Sequence, residues 1–115
     1  MEPLAAMKRG AVVLVRFPFS DLSASKLRPA VVLAEVGQGD FILVQVTSNP
    51  YADARAVALT EASFKSGGLE RTSYVRPGKL FTANALLVAR TVGELTPDAA
   101  EQVLSAILRL LQGKA

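Results

Sequence analysis

Short runs of aliphatic and β-branched residues alternate with polar turn residues over the first half of the chain. Three of these runs, residues 10–17, 29–36 and 40–48, are bounded by Gly, Pro, Asp, Ser or Asn, which is typical of β-strands. The first two runs are almost continuously apolar. That pattern indicates strands covered on both faces, or a sheet so strongly curved that periodicity does not separate its two faces.

Three weaker strands are predicted further along the chain, over residues 54–60, 72–76 and 86–93. The segment between the first two of them contains the pair Gly67-Gly68, which favours a turn or a mobile loop. The sequence therefore predicts six short strands before any helical pattern begins.

The spacing of apolar residues changes to a helical one near the C-terminus. Thr96 is a suitable N-cap, Pro97 suits the first helical position and Gly113 is expected to end the helix. Leu110 falls outside the main apolar stripe, so it is either a single exposed leucine or is buried by a neighbouring element or a second subunit. The stripe predicted to face the core consists of Ala100, Val103, Leu104, Ile107, Leu108 and Leu111.

These elements predict a mostly β protein, a small barrel closed by a C-terminal helix, in a chain of 115 residues. Residues 1–9 are expected to form a flexible N-terminal tail and residues 10–115 a single domain. No apolar run approaches the length of a membrane span, and the N-terminus lacks the apolar core of a signal peptide. With no cysteine in the chain, a cytoplasmic protein without membrane contact is expected.

Composition narrows the chemistry further. Lys and Arg number 13 against 10 Asp and Glu, giving a net charge of +3, which makes nucleic acid a candidate partner. The absence of His and Cys excludes a His general base, a thiol nucleophile and a Cys/His zinc site. Nucleotide-binding glycine motifs are also missing, and the acidic residues are scattered, so neither a cofactor nor a metal is expected.

A candidate site emerges where the second run begins and the third ends. Pro29 disfavours helical backbone at Arg28 and so holds it extended at the start of its strand. If the two runs pair through the short connection at residues 37–40, Arg28 lies near Thr47 and Ser48. A guanidinium beside two hydroxyls suits a phosphate, although a surface cation beside a generic turn remains the alternative.

Three segments, RGAVVLVRFPFSDLSASKLRPAVVL, VQVTSNP and SYVRPGKLFT, resemble in that order the MazF/PemK family of bacterial toxin-antitoxin systems. The resemblance implies an SH3-like barrel that works as a homodimer. It also implies metal-independent, sequence-specific cleavage of single-stranded RNA, including mRNA, to 2′,3′-cyclic phosphate and 5′-hydroxyl ends. A cognate antitoxin, whose disordered tail covers the RNA groove, would neutralise this endoribonuclease.

The same resemblance assigns roles to individual residues. Arg28 matches the catalytic arginine that acts at the scissile phosphate, and Thr47, with Ser48 beside it, matches the hydroxyl that positions that phosphate. Each further RNA contact has the role of an ordinary solvated residue as its alternative. These expected RNA contacts are Lys26, Arg16, Arg76, Lys79 and Asn49.

Two questions remain open at the level of sequence. The general base is not identified: the high pKa of an arginine makes Arg28 unsuited to that role, and Asp53 and Glu35 are candidates. The sequence departs from the family's pattern at three positions, which leaves an alternative function open. The chain would then be a non-catalytic toxin, such as one that binds gyrase, or an inactivated partner-binding barrel. The three departures are Ala11, Ala24 and Gly78, the last of which removes a candidate partner of Arg76.

Overall fold

A computed structural model describes residues 7–18 and 25–114, without the side chains of residues 17, 18 and 25. Within these residues, seven strands form one curled antiparallel sheet, an open half-barrel, and a single α-helix follows them. The order of the strands in the sheet is β4-β6-β3-β2-β1-β7-β5. The elements are β1 (Ala11–Pro18), β2 (Ser25–Gly37), β3 (Asp40–Thr47), β4 (Val57–Leu59), β5 (Phe64–Gly67), β6 (Ser73–Asn84), β7 (Val88–Leu95) and α1 (Pro97–Leu111).

The middle of each central strand is apolar because both faces of the sheet are buried there. In β1, Val12 belongs to a core cluster that includes Val103 and Ile107 of α1. Its neighbours Val13 and Val15 belong to a second cluster around Phe41 and Leu43. Successive residues of a strand point to opposite faces, so a strand buried on both sides cannot alternate apolar with polar residues. The prediction of a mostly β, small barrel-like fold with a C-terminal helix is confirmed.

The weaker strands differ from their predicted extents. The run at residues 72–76 is the beginning of β6, which continues to Asn84, and β4 covers only Val57–Leu59 of the predicted 54–60. The segment predicted as a loop contains β5, which pairs with β7. A Cβ at Gly67 would collide with the carbonyl oxygen of Val92. The glycine that suggested a loop is therefore required by close contact between two strands.

Helix α1 begins and ends as predicted but buries a narrower face than predicted. Thr96 Oγ1 accepts a hydrogen bond from Ala99 N at 3.1 Å, and Gly113 has a positive φ of 75° just beyond the helix. The prediction was wrong for Leu108 and Leu111, which are 44% and 66% exposed. The buried face contains Ala99 together with the predicted Val103 and Ile107. Leu110 lies near Gly78: a Cβ placed at Gly78 would be 3.6 Å from the Cδ2 atom of Leu110.

Residues 7–9 contact the sheet. Met7 is 5% exposed and belongs to the second core cluster, and Arg9 Nε donates a hydrogen bond to Leu33 O at 3.1 Å. Residues 1–6 of the predicted N-terminal tail lie outside the described residues. Among the described residues, no helix is long and apolar enough to cross a membrane.

Candidate functional site

A cleft of about 620 Å³ opens where β2 begins and β3 ends. The ladder between these strands pairs Ala30 with Gln45, so antiparallel geometry brings Arg28 level with Thr47 two residues further on. Both residues line the cleft, together with Lys26 and Ser48. The short β2–β3 connection thus assembles the predicted constellation of one guanidinium and two hydroxyls.

The other predicted RNA contacts lie elsewhere. Arg16 and Asn49 are exposed and are not among the residues that line this cleft. Lys79 lines a separate, shallower depression of about 270 Å³ with Gln45, Leu80 and Phe81. Arg76 is held in an ion pair outside the cleft.

The lining residues that were not predicted from the sequence include one aromatic and three charged side chains: Tyr51, Glu70, Arg71 and Arg90. Arg90 is on β7, which borders the cleft because β7 pairs with β1. No local pattern in the sequence predicts that these two strands are neighbours. Glu70 and Arg71 are in the segment between β5 and β6. The sequence around these two adjacent charged residues does not indicate which strand they approach in the fold.

The cleft is strongly basic among the described residues. Four cations line it, Lys26, Arg28, Arg71 and Arg90, against the single carboxylate of Glu70. Several like charges facing one concave surface raise the local concentration of anions. Arginine also donates in a planar fork that matches two phosphate oxygens, so the cleft has the charge and the donors to bind a phosphodiester chain.

The loop after Thr47 is held by successive local hydrogen bonds. Thr47 Oγ1 accepts from Asn49 N at 3.1 Å, and Asn49 Oδ1 accepts from Tyr51 N at 2.9 Å. Because Thr47 Oγ1 acts as the acceptor in that bond, its O–H proton can still be donated. Tyr51 and Ala52 have positive φ angles of 55° and 59°, which for residues other than glycine costs about 1 kcal/mol each. The loop is therefore constrained rather than loosely ordered.

Arg76 anchors this loop to the sheet. Its Nε lies 3.1 Å from Asp53 Oδ2, and its Cζ lies 5.3 Å from the centre of the Tyr51 ring. The missing acidic partner at Gly78 is thus replaced by Asp53 from another part of the chain. Arg76 therefore lies beside the cleft with a structural role, and its predicted contact with RNA stays a prediction.

Neither carboxylate suggested as the general base is suited to take a proton from a ribose whose phosphate is bound by Arg28. The backbone N–H of Arg55, followed by the side chain of Arg76, lowers the pKa of Asp53, which makes that carboxylate a weaker base. Glu35 is seven residues beyond Arg28 on β2, or about 20 Å along an extended strand. Glu70 is the one carboxylate on the described part of the cleft wall.

Comparisons with known proteins identify the family of the chain and its fold. The model of the PemK-like, MazF-like toxins of type II toxin-antitoxin systems matches residues 8–111. The chain belongs to this family. No curated protein sequence is significantly similar to the chain. The comparison therefore depends on the family match and on solved structures.

Several solved MazF structures share the fold of this family member. A MazE-MazF structure from Deinococcus radiodurans superposes with a TM-score of 0.71 at 18% identity, covering 96% of this chain and 99% of the other. An endoribonuclease in complex with its cognate antitoxin from a mycobacterial species gives 0.69 at 20% identity, covering 96% of both chains. The Mycobacterium tuberculosis toxin MazF-mt6 gives 0.69 at 18% identity, covering 89% of this chain and 96% of the other. At these identities the likeness establishes the fold.

Proposed function

We propose that this MazF/PemK-family protein is an endoribonuclease toxin that cleaves single-stranded RNA, such as mRNA, at specific sequences without a metal or cofactor. The observation that carries the proposal is the position of Arg28 level with Thr47 on the wall of a basic cleft. Family membership supports the same reaction, as does the likeness in fold to an endoribonuclease in complex with its cognate antitoxin.

The proposed reaction is an attack by a ribose 2′-oxygen on the adjacent phosphorus. A new P–O2′ bond forms and the P–O5′ bond breaks, leaving a 2′,3′-cyclic phosphate and a 5′-hydroxyl. The guanidinium of Arg28 donates to the phosphate oxygens, on which negative charge increases in the transition state. Removing a comparable preorganised donor from other enzymes costs about 3 to 4 kcal/mol in activation free energy.

Thr47 and Ser48 orient the phosphate, and Glu70 accepts the proton of the 2′-hydroxyl. Thr47 is 7% exposed, so the surrounding sheet restricts the movement of its side chain. The leaving 5′-oxygen takes its proton from water, and the proton on Glu70 is returned to solvent afterwards. Lys26, Arg71 and Arg90 hold neighbouring phosphates, and these contacts set affinity more than rate.

Assembly and regulation follow the same proposal. The protein is expected to act in the cytoplasm as a homodimer and to be neutralised by a cognate antitoxin. Structural neighbours include toxins in complex with antitoxin, among them MazE-MazF. Exposed Leu108 and Leu111 on α1 provide apolar surface that a second chain can cover. Light scattering of the purified chain should give the mass of a dimer, and a strictly monomeric mass contradicts this part of the proposal.

The test of the activity is incubation of the purified protein with a long single-stranded RNA in EDTA, followed by analysis of the new ends. Cyclic phosphate and 5′-hydroxyl ends are expected. Absence of cleavage on varied RNAs, or ends that carry a 5′-phosphate, would refute the reaction. A non-catalytic toxin that binds gyrase or another partner through the same fold is then the remaining function.

A further inference from the structure

We infer that Tyr51 is a stacking platform for an RNA base, and that Arg76 and Asp53 position it; the inference rests on the proposed function. Tyr51 lines the same cleft as Arg28 and Thr47, yet 61% of its surface is exposed. A large aromatic side chain left this open on the wall of a basic cleft is available to a ligand.

One face of the Tyr51 ring is covered by Arg76. The Arg76 Cζ lies 5.3 Å from the ring centre, so the guanidinium acts as a cation–π partner on that face. The Arg76 side chain is itself 23% exposed and is fixed by Asp53, whose side chain is 19% exposed. The exposed part of Tyr51 therefore includes the face opposite Arg76, and this face is presented by a rigid support.

The backbone at Tyr51 is also constrained in an unfavourable conformation. Its φ of 55° is in the left-handed region, and its N–H is bonded to Asn49 Oδ1. The next turn is closed by a 2.9 Å hydrogen bond from Asp53 N to Pro50 O. These contacts offset the cost of a conformation that places Tyr51 on the wall of the cleft, and such outliers concentrate at functional sites.

The surrounding charges favour RNA over a protein as the ligand. Lys26, Arg28, Arg71 and Arg90 line the cleft with Tyr51, and a row of cations with one aromatic ring matches a phosphodiester backbone with its bases. Stacking on an aromatic side chain tolerates any base. Tyr51 is therefore expected to set affinity and the placement of a base next to the scissile phosphate, rather than to read its identity.

The chain has no tryptophan, so Tyr51→Trp introduces a single fluorescent reporter at the proposed platform. The probe is a short single-stranded RNA of mixed sequence with 2′-O-methyl groups throughout, which cannot undergo the attack. Binding of the labelled RNA is measured by anisotropy, and stacking by the emission of the introduced indole. We expect quenching at saturation, near-parental affinity for Tyr51→Phe and about tenfold weaker binding for Tyr51→Leu.

Arg76 is tested as a positioning residue through its coupling to Tyr51. Arg76→Ala should weaken binding about tenfold in the parental background but much less in Tyr51→Leu, because both changes remove the same platform. Arg76→Lys, which keeps a cation, should restore part of the loss. Arg55→Ala is the matched control, since it removes one positive charge from the same loop without a contact to the ring, and its affinity should stay within about twofold.

The outcomes separate the platform from the proposed function. Two results would contradict the stacking role of Tyr51 and leave the proposed endoribonuclease function intact. One is that the parental chain binds the RNA but the emission of Tyr51→Trp does not change. The other is that folded Tyr51→Leu binds as tightly as the parent. If circular dichroism shows that Tyr51→Leu does not fold, the emission of the Tyr51→Trp variant decides. If the parental chain neither binds nor cleaves any RNA, both are overturned.

Discussion

Arg76 Nε donates to Asp53 Oδ2 at 3.1 Å across 23 positions of sequence. The pair joins β6 to the loop that follows β3, and both side chains are largely buried. An ion pair at this depth is screened less by solvent than one on the open surface. The relationship fixes the loop that carries Tyr51 against the sheet that carries Thr47.

The first prediction concerns acid stability. Because the pKa of Asp53 is lowered from its ordinary value of 3.8, the carboxylate stabilises the fold above that pH, and this stabilisation is lost as pH falls through the folded-state pKa. Asp53→Asn should lower the free energy of unfolding by about 1 kcal/mol at neutral pH. Urea unfolding across a pH series should show the difference shrinking in acid. A difference that does not vary with pH contradicts this role.

The second prediction separates catalysis from binding at Arg28. If its guanidinium stabilises charge that appears only in the transition state, Arg28→Ala should lower the single-turnover cleavage rate about a hundredfold or more, with little loss of RNA affinity. Arg28→Lys should recover little activity because an ammonium lacks the planar fork. Normal cleavage by RNA-saturated Arg28→Ala would make Arg28 a docking cation only.

Lys26→Ala is the control for Arg28, since both residues are cations on the same strand and the same cleft wall. As a phosphate contact, Lys26 should affect affinity and reduce the slope of log affinity against log salt by about one unit. The rate of the bound complex should remain close to that of the parent. A large loss of the bound-state rate would mean that Lys26 also acts on the reacting phosphate.

The third prediction tests Glu70 as the proton acceptor. Glu70→Gln keeps the size of the side chain but removes its basicity, and it should reduce the single-turnover rate about a hundredfold. Affinity for RNA should rise slightly, since the cleft loses its one described carboxylate. Glu61→Gln is the matched control, because Glu61 lines the neighbouring cavity of about 770 Å³ and not the Arg28 cleft. Equal rates in the two variants would exclude Glu70.

The fourth prediction tests the orientation of α1. Ile107 is 3% exposed and Leu111 is 66% exposed. Ile107→Ala should therefore lower the free energy of unfolding by about 2 to 5 kcal/mol, whereas Leu111→Ala should change it by less than about 0.5 kcal/mol. Urea denaturation at low protein concentration measures both. At higher protein concentration the cost of Leu111→Ala should increase, because the proposed dimer covers this face. A large cost that does not vary with concentration contradicts the orientation of α1.

Much of the fold could be predicted because its signals are local. The β-branched runs of β1, β2 and β3, the Thr96 cap and the terminating Gly113 all depend on neighbouring residues. Strand β5 was missed because its sequence, FKSG, is mostly polar and ends in Gly67, the glycine that allows close contact with β7. Leu108 and Leu111 were wrongly assigned to the buried face of α1 because leucines on adjacent stripes give the same spacing. Only packing against β4, β6 and β7 decides between them.

The candidate site divides in the same way. Arg28 and Thr47 could be brought together from sequence because a short connection makes β2 and β3 neighbours. Arg90 joins the cleft through the pairing of β1 with β7, two strands that lie near opposite ends of the chain. The Arg76–Asp53 pair likewise depends on how a loop packs against a distant strand. Contacts of this kind follow from the topology of the sheet and leave no pattern in a single sequence.

The pairing of β1 with β7 also bears on when the protein becomes active during its synthesis. Arg90 and Val92 form part of the cleft wall, and they are in the last strand before α1. A nascent chain that has not yet released β7 from the ribosome lacks this wall, and long-range strand pairing is slow to form. Under the proposed function, a nascent chain therefore cannot cleave RNA before β7 has left the ribosome and paired with β1.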